Sequence, residues 1–206
     1  MARDLGSIVK MSRREGYALH PKAHKALIKR TAMPGQKPGY MSRNKPSQYS
    51  LQLREKQKVK RLYGLLERQF RNLMTEAMRS KGQSGQILLQ FLELRLDNVA
   101  YRSGFAVSRR AARQLVTHGH FLLNGKRVDV PSIRVKDGDV IAVRDHSKGT
   151  EYFKKLDEVS PASPNDLPAW LKVNRKKLEI TVSGMPTREN AEPDINEQLI
   201  VEYYSR

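Results

Sequence analysis

The dipeptide Asn124-Gly125 constrains the fold of this chain more tightly than any other feature of the sequence. Both residues accept the positive φ that a two-residue type I′ turn demands, and they stand between the short apolar runs of Phe121-Leu-Leu-Asn-Gly-Lys-Arg-Val128. A β-hairpin follows. Asp137-Gly138-Asp139 supplies a second turn ahead of the strand Val140-Ile-Ala-Val143, so a small sheet is expected. Upstream, Ser108 is a candidate N-cap for a short helix with Ala111, Ala112, Leu115 and Val116 inward, stopped by Gly119. Ser84 can cap another, in which Leu88, Leu89, Leu92 and Leu96 share a face. That helix continues with a bend through Arg95-Leu-Asp-Asn-Val-Ala-Tyr-Arg102 until Gly104 breaks it. Helices packed on a small sheet make a compact α+β module.

The flanking segments read differently. Residues 1–46 carry Gly16, Pro21, Pro34, Gly35, Pro38, Gly39 and Pro46 among basic residues without a sustained period, which predicts an extended basic N-terminal arm. From Leu51 to Lys81, Val59, Leu62, Leu66, Phe70, Leu73 and Ala77 recur at three- and four-residue steps. This predicts one amphipathic helix, capped by Ser50, stopped by Gly82 and roughly 45 Å long. Residues 144–176 are punctuated by Pro161, Pro164 and Pro168, with Trp170-Leu171 as an anchor, and Leu178-Glu-Ile-Thr-Val182 reads as a further strand. No internal repeat is visible.

Charge sets the class of partner. The 39 Lys+Arg against 21 Asp+Glu leave a net charge of +18, which calls for a polyanion. The excess is concentrated at the start, with 15 Lys+Arg and 3 Asp+Glu in residues 1–60, whereas residues 189–206 hold five acids and only Arg206. The absence of cysteine excludes disulfides and thiolate zinc sites and fits a reducing cytoplasm. No window approaches the roughly 20 apolar residues of a membrane span. No Gly-rich phosphate loop and no nucleophile elbow occurs, so an enzyme with a small-molecule substrate or cofactor is not expected.

Arg109, Arg110 and Arg113 fall at i, i+1 and i+4 of the short helix, opposite its apolar face, where three guanidinium groups would project together toward phosphate. Lys126 and Arg127 add cations at the hairpin tip, and Asn124 and Gly125 leave its backbone open to close approach. Arg54, Lys56, Lys58, Lys60 and Arg61 crowd the start of the predicted long helix, and Arg68 and Arg71 extend its basic side. A solvated charged face is the competing reading of each run. Tyr17, Tyr40, Tyr49 and Tyr101 can stack on bases or anchor packing. His20 and His24 sit four apart, but two histidines without cysteine or a nearby carboxylate make a poor metal site, and no metal is expected.

The run from Arg95-Leu-Asp-Asn-Val through Ser108-Arg-Arg and Asn124-Gly-Lys-Arg-Val to Gly138-Asp-Val-Ile resembles the RNA-binding module named after ribosomal protein S-four. The remainder of the chain is similar to the bacterial-type ribosomal family itself. It carries, in order, Ser12-Arg-Arg-Glu-Gly16, Leu53-Arg-Glu-Lys-Gln-Lys-Val59, Tyr63-Gly64, Leu66-Glu-Arg-Gln-Phe-Arg71 and Asp194-Ile-Asn-Glu-Gln-Leu-Ile-Val-Glu202. The resemblance implies a helical domain, 47–94 completed by 177–206, an inserted RNA-binding domain at 95–176, and the extension 1–46. It implies direct binding to the 5′ domain of small-subunit ribosomal RNA, nucleation of subunit-body assembly, and a contribution to translational accuracy. Arg13, Arg14, Arg102 and Ser108 join the candidate RNA contacts on this basis. Arg43 and Lys45 would line the pore where messenger RNA (mRNA) enters, and Asp194, Glu197 and Glu202 would face ribosomal protein S-five. The cysteines that bind zinc in some relatives are absent, so a zinc-free variant is implied. The alternative role is a free repressor that binds a structured mRNA leader.

Overall fold

The computed structural model describes residue 4 and residues 6–30, 32–35, 46–160 and 167–205. Arg43, Lys45 and Tyr40 lie outside the described residues. The chain forms two compact units, residues 1–88 with 193–206, and residues 89–192.

In the first unit, α1 (Ile8–Glu15) and α2 (His24–Lys29) are joined through a single 3-10 turn at Pro21–Ala23. The helix expected over 51–81 is divided into α3 (Gln48–Leu62) and α4 (Glu67–Arg79). Gly64 is the reason. Its φ of 66° is a conformation that side chains resist, and it lets the Leu65 N–H turn back to the Lys60 carbonyl at 2.9 Å. The apolar period nevertheless runs through the break, because Val59, Leu62, Phe70, Met74 and Ala77 are all buried. Ser47 rather than Ser50 caps α3, its Oγ accepting the Ser50 N–H at 3.3 Å. The C-terminal segment is helical too. Asn196 accepts the Gln198 N–H at 3.2 Å to cap α11 (Glu197–Tyr204), which packs on α3 and buries Ile200.

α5 (Ser84–Glu93) leads into the second unit, with Ser84 as its first residue and Gln83 O accepting the Ile87 N–H. The expected bend falls at Leu94 and Arg95, where Arg95 leaves the helix to bridge Arg134, and α6 (Leu96–Arg102) resumes. α7 (Arg109–Thr117) is capped as expected, the Ser108 Oγ accepting the Ala111 N–H at 3.3 Å. The hairpin forms as β1 (Phe121–Leu123) and β2 (Lys126–Val128), with Leu123 opposite Lys126 and φ of 49° and 79° at Asn124 and Gly125. With β3 (Val140–Val143), the short helices α8 (Asp145–Lys148), α9 (Glu151–Lys154) and α10 (Leu156–Val159), then β4 (Leu171–Asn174) and β5 (Glu179–Val182), the chain completes a five-stranded antiparallel sheet. Its order is β2-β1-β3-β5-β4.

Leu178–Val182, expected in the segment returning to the helical domain, pairs instead on both sides within this sheet. Its own alternation explains this: Ile180 and Val182 point into the core while Glu179 and Thr181 do not, and Ile180 lies opposite Ile141. The strand begins one residue late because Leu178 turns at φ 56°. Phe121, Ile141, Val143, Ile180 and Val182 form one buried cluster with Leu96, Val99, Ala112 and Val116. Each Phe, Leu, Ile or Val side chain of this cluster contributes about 1.5–3 kcal/mol on leaving water. Trp170 and Leu171 join the same core, as their anchor reading expects. The fold class is α+β. Among the described residues no helix is long and apolar enough to cross a membrane.

Candidate nucleic-acid interface

The inward face of α7 fixes where its arginines can go. Arg110 is exposed, whereas Arg109 is mostly covered and Arg113 is buried. Arg113 Nη1 donates to Asp97 Oδ2 at 3.1 Å, and the same carboxylate receives Arg95 Nη2 at 2.8 Å. The three guanidinium groups therefore do not project together. Arg113 lies beside Ala112 and one turn before Val116, and burial along that stripe takes it inward, where only a paired charge is tolerable.

Arg109 is held from three directions. Its Nε donates to Asn98 Oδ1 at 3.0 Å, its Nη2 to Glu192 Oε1 at 2.9 Å, and its guanidinium stands 4.6 Å from the Tyr101 ring centroid. Tyr101 serves here as the floor under an arginine. Arg102 forks onto Glu93, with Nε to Oε2 at 3.1 Å and Nη2 to Oε1 at 2.9 Å, and also lies 3.4 Å from Glu192. At the hairpin, Lys126 and Arg127 are exposed. A Cβ on Gly119 would stand 2.7 Å from Arg127 Nε, so that glycine makes room for the guanidinium at the end of α7. Asn124 ties the turn to β3, because its amide donates to Asp139 at 2.8 Å and its carbonyl accepts the Val140 N–H at 2.9 Å.

The cations of α3 are engaged as well. The fully buried side chain of Glu15 pairs with Arg54 at 3.1 Å and with Arg61. Burial pushes its carboxyl above the usual range although Arg54, Arg61 and Arg14 pull it down. Lys56 is 3% exposed, with its ammonium 2.7 Å from Glu67 and 4.5 Å from the Tyr203 ring centroid. Lys60 shares Glu67 at 2.9 Å, and Lys58 reaches Glu55 at 2.8 Å and the Asp194 carbonyl at 2.7 Å. Burial raises the Glu67 pKa, but hydrogen bonds from Lys56, Lys60 and Tyr204 outweigh it and bring the value to about 2. Arg13 donates to the Ala32 carbonyl at 2.8 Å, while Arg14, Arg68 and Arg71 are exposed.

Of the acidic positions, Asp194 is exposed, and Glu202 accepts from Gln52 Nε2 at 2.7 Å. Glu197 opens α11 so close to Gly85 that a Cβ there would lie 2.8 Å from its side chain. His20 Nδ1 caps Lys22 N–H at 3.0 Å, and among the described residues no three metal-ligating side chains converge. Glu93 and Asn98 as partners of the arginines escaped the sequence reading, and Glu192, expected among the acids that would repel RNA and face a protein, pairs instead with Arg109 and Arg102. Glu93 and Asn98 meet across a bend, which no helical spacing announces.

Residues 3–93 match the family described as Ribosomal protein S4/S9 N-terminal domain, and residues 94–141 match the S4 domain. Over the full length of both chains, this protein is 50% identical to the small ribosomal subunit protein uS4 of Chloroflexus aurantiacus, and 50% identical to that of Roseiflexus castenholzii. A small ribosomal subunit protein uS4A of Clostridium botulinum is 51% identical over 210 aligned positions, again with both chains covered in full. The chain belongs to the S-four family of ribosomal proteins.

Within this family member, the boundary between the two matched regions falls at Glu93 and Leu94, where α5 ends and the chain bends. The S4 domain then spans α6, α7 and the first two strands and enters β3. Strands β4 and β5 and residue Glu192, which completes the setting of Arg109, come from beyond both matched regions.

Proposed function

We propose that this chain is a structural constituent of the small ribosomal subunit and binds its ribosomal RNA directly. In this reading it contacts the 5′ domain, nucleates assembly of the subunit body in the cytoplasm, and contributes to translational accuracy. The observation that carries it is the set of cations on the S4 domain: Arg102 and Arg109 are braced by neighbours, Arg110 next to Arg109 is exposed, and Lys126 and Arg127 are exposed on the hairpin. Full-length similarity to proteins named for the small ribosomal subunit supports the same partner. A folded RNA is read through its backbone and shape, because side chains cannot enter the A-form major groove, and braced guanidinium forks suit phosphates.

Residues 95–176 act as the RNA-binding domain together with strand β5, which completes their sheet, while 47–94 and the segment after that sheet form the helical domain and 1–46 is a basic N-terminal extension anchored on it through Glu15. Arg14, Arg68 and Arg71 extend the phosphate contacts, while Lys56 and Arg113 hold the protein together. The exposed acids at the C-terminal end, Asp194 foremost, face ribosomal protein S-five, since phosphate would be repelled there. Arg43 and Lys45 act on mRNA where it enters the subunit. The test is sedimentation of the tagged protein through a sucrose gradient. Co-migration with intact small subunits, lost in the R109A/R110A variant, is expected; migration as free protein or with mRNA leaders alone would overturn the proposal.

A further inference from the structure

The carboxylate of Glu93 is buried at the end of α5, with 1% of its side chain exposed. It receives the Arg102 fork, and its Oε2 also accepts from Asn98 Nδ2 at 2.7 Å. The Asn98 amide donates a second time, to the Glu93 carbonyl at 3.1 Å. A carboxylate can only accept, so Asn98 must turn its NH2 group toward Glu93. Its Oδ1 is thereby left facing Arg109, whose Nε donates to it at 3.0 Å. One buried acid thus sets the direction of a relay that ends on two arginines of the S4 domain.

We infer that Glu93 is a positioning residue for RNA binding, acting through Arg102 directly and through Asn98 on Arg109. This rests on the reading of those arginines as phosphate contacts. Burying a carboxylate among donors is costly, and apolar residues of similar volume serve a core as well or better. What a core leucine could not supply is orientation: each arginine spends some of its donors inward, so its fork is fixed before RNA arrives and less rotamer freedom is lost on binding. Glu93→Gln is nearly isosteric, but its NH2 group would face donors on Arg102 or Asn98, and the relay loses its polarity.

The experiment measures binding of full-length protein to 5′-domain ribosomal RNA for parent, E93Q, N98A, R102A/R109A and E93Q/R102A/R109A, with thermal unfolding of each. E93Q and N98A should each weaken binding on the order of tenfold, as expected for misaligned charge-assisted bonds. In the R102A/R109A background, E93Q should have no further effect, because the residues it acts through are gone. A merely structural Glu93 would lower the unfolding temperature and leave the affinity of the folded protein unchanged. Parental affinity of E93Q and N98A, or an E93Q effect that adds in full to R102A/R109A, would overturn the inference. Should E93Q fail to fold, N98A alone decides by the same criterion. If R102A/R109A itself binds as the parent does, the phosphate-contact reading fails, and this inference falls with it.

Discussion

Arg113 and Arg95 grip the same oxygen of Asp97, at 3.1 and 2.8 Å, in the interior of the S4 domain. Of the two arginines at the start of the same helix, Arg109 is mostly covered and Arg110 is exposed. One short helix therefore carries two kinds of arginine, and substitution should separate them. Arg113→Ala should destabilise by about 2 kcal/mol, because the buried Asp97 carboxylate loses one of the two arginines that donate to it. Arg110→Ala should stay within about 0.5 kcal/mol of the parent and weaken RNA binding instead. Urea denaturation with filter binding on both variants makes the comparison; equal stability of the two would contradict the division.

Glu67 carries a pH signature. Its folded pKa of about 2 lies below the ordinary glutamate value because Lys56, Lys60 and Tyr204 donate to it against the opposing effect of burial. A depressed carboxyl pKa stabilises the fold above the unfolded value near 4.5, and that stability is lost as pH falls toward 2. Since 46% of the side chain is exposed, screening reduces the effect to about 1 kcal/mol. Denaturation followed from pH 5 down to pH 2 should show a shallower acid loss in Glu67→Gln than in the parent. Parallel curves would remove Glu67 from the account.

At the hairpin, strain and bonding can be compared residue by residue. A Cβ on Gly125 meets nothing within 4 Å, but φ is 79°, so Gly125→Ala should cost about 1 kcal/mol through backbone strain alone. Asn124→Ala removes two hydrogen bonds, to Asp139 and from Val140, and should cost about 2 kcal/mol. Chemical denaturation midpoints at unchanged m-value give the order. A smaller cost for Asn124→Ala would mean that the turn conformation, not its bonding to β3, fixes the register that presents Lys126 and Arg127.

The acidic C-terminal segment divides in the same way. Glu202→Lys breaks the bond from Gln52 and should loosen α11 on α3, whereas Asp194→Lys spares the backbone carbonyl used by Lys58. Asp194→Lys should therefore leave stability and binding to free ribosomal RNA unchanged while raising misreading in a reporter strain. Unchanged misreading would sink the protein-partner assignment for this residue.

Local chemistry was legible where one or two residues decide it. Asn124-Gly125 and the Ser108 cap are of this kind. The break at Gly64 was not, because Leu62, Leu66 and Phe70 keep helical spacing across it and an isolated glycine is tolerable inside a helix. The membership of β5 was equally hidden: Ile180 and Val182 announce a strand, but only folding shows that Ile141 lies opposite. For the interface, the residue types and segments could be read, but burial could not. Arg113, Lys56 and Arg110 are alike as charges, and their different roles depend on Asp97 and Glu67, whose proximity is a tertiary fact.

The central claim, that braced and exposed arginines hold ribosomal RNA by its phosphates, is tested most directly by the salt dependence of binding to the 5′-domain RNA. The logarithm of the binding constant should fall linearly with the logarithm of salt concentration, with a slope magnitude of about 4 or more, and R102A/R109A/R110A should reduce that magnitude by about 2. A slope near zero, or one that the triple substitution leaves unchanged, would contradict the account.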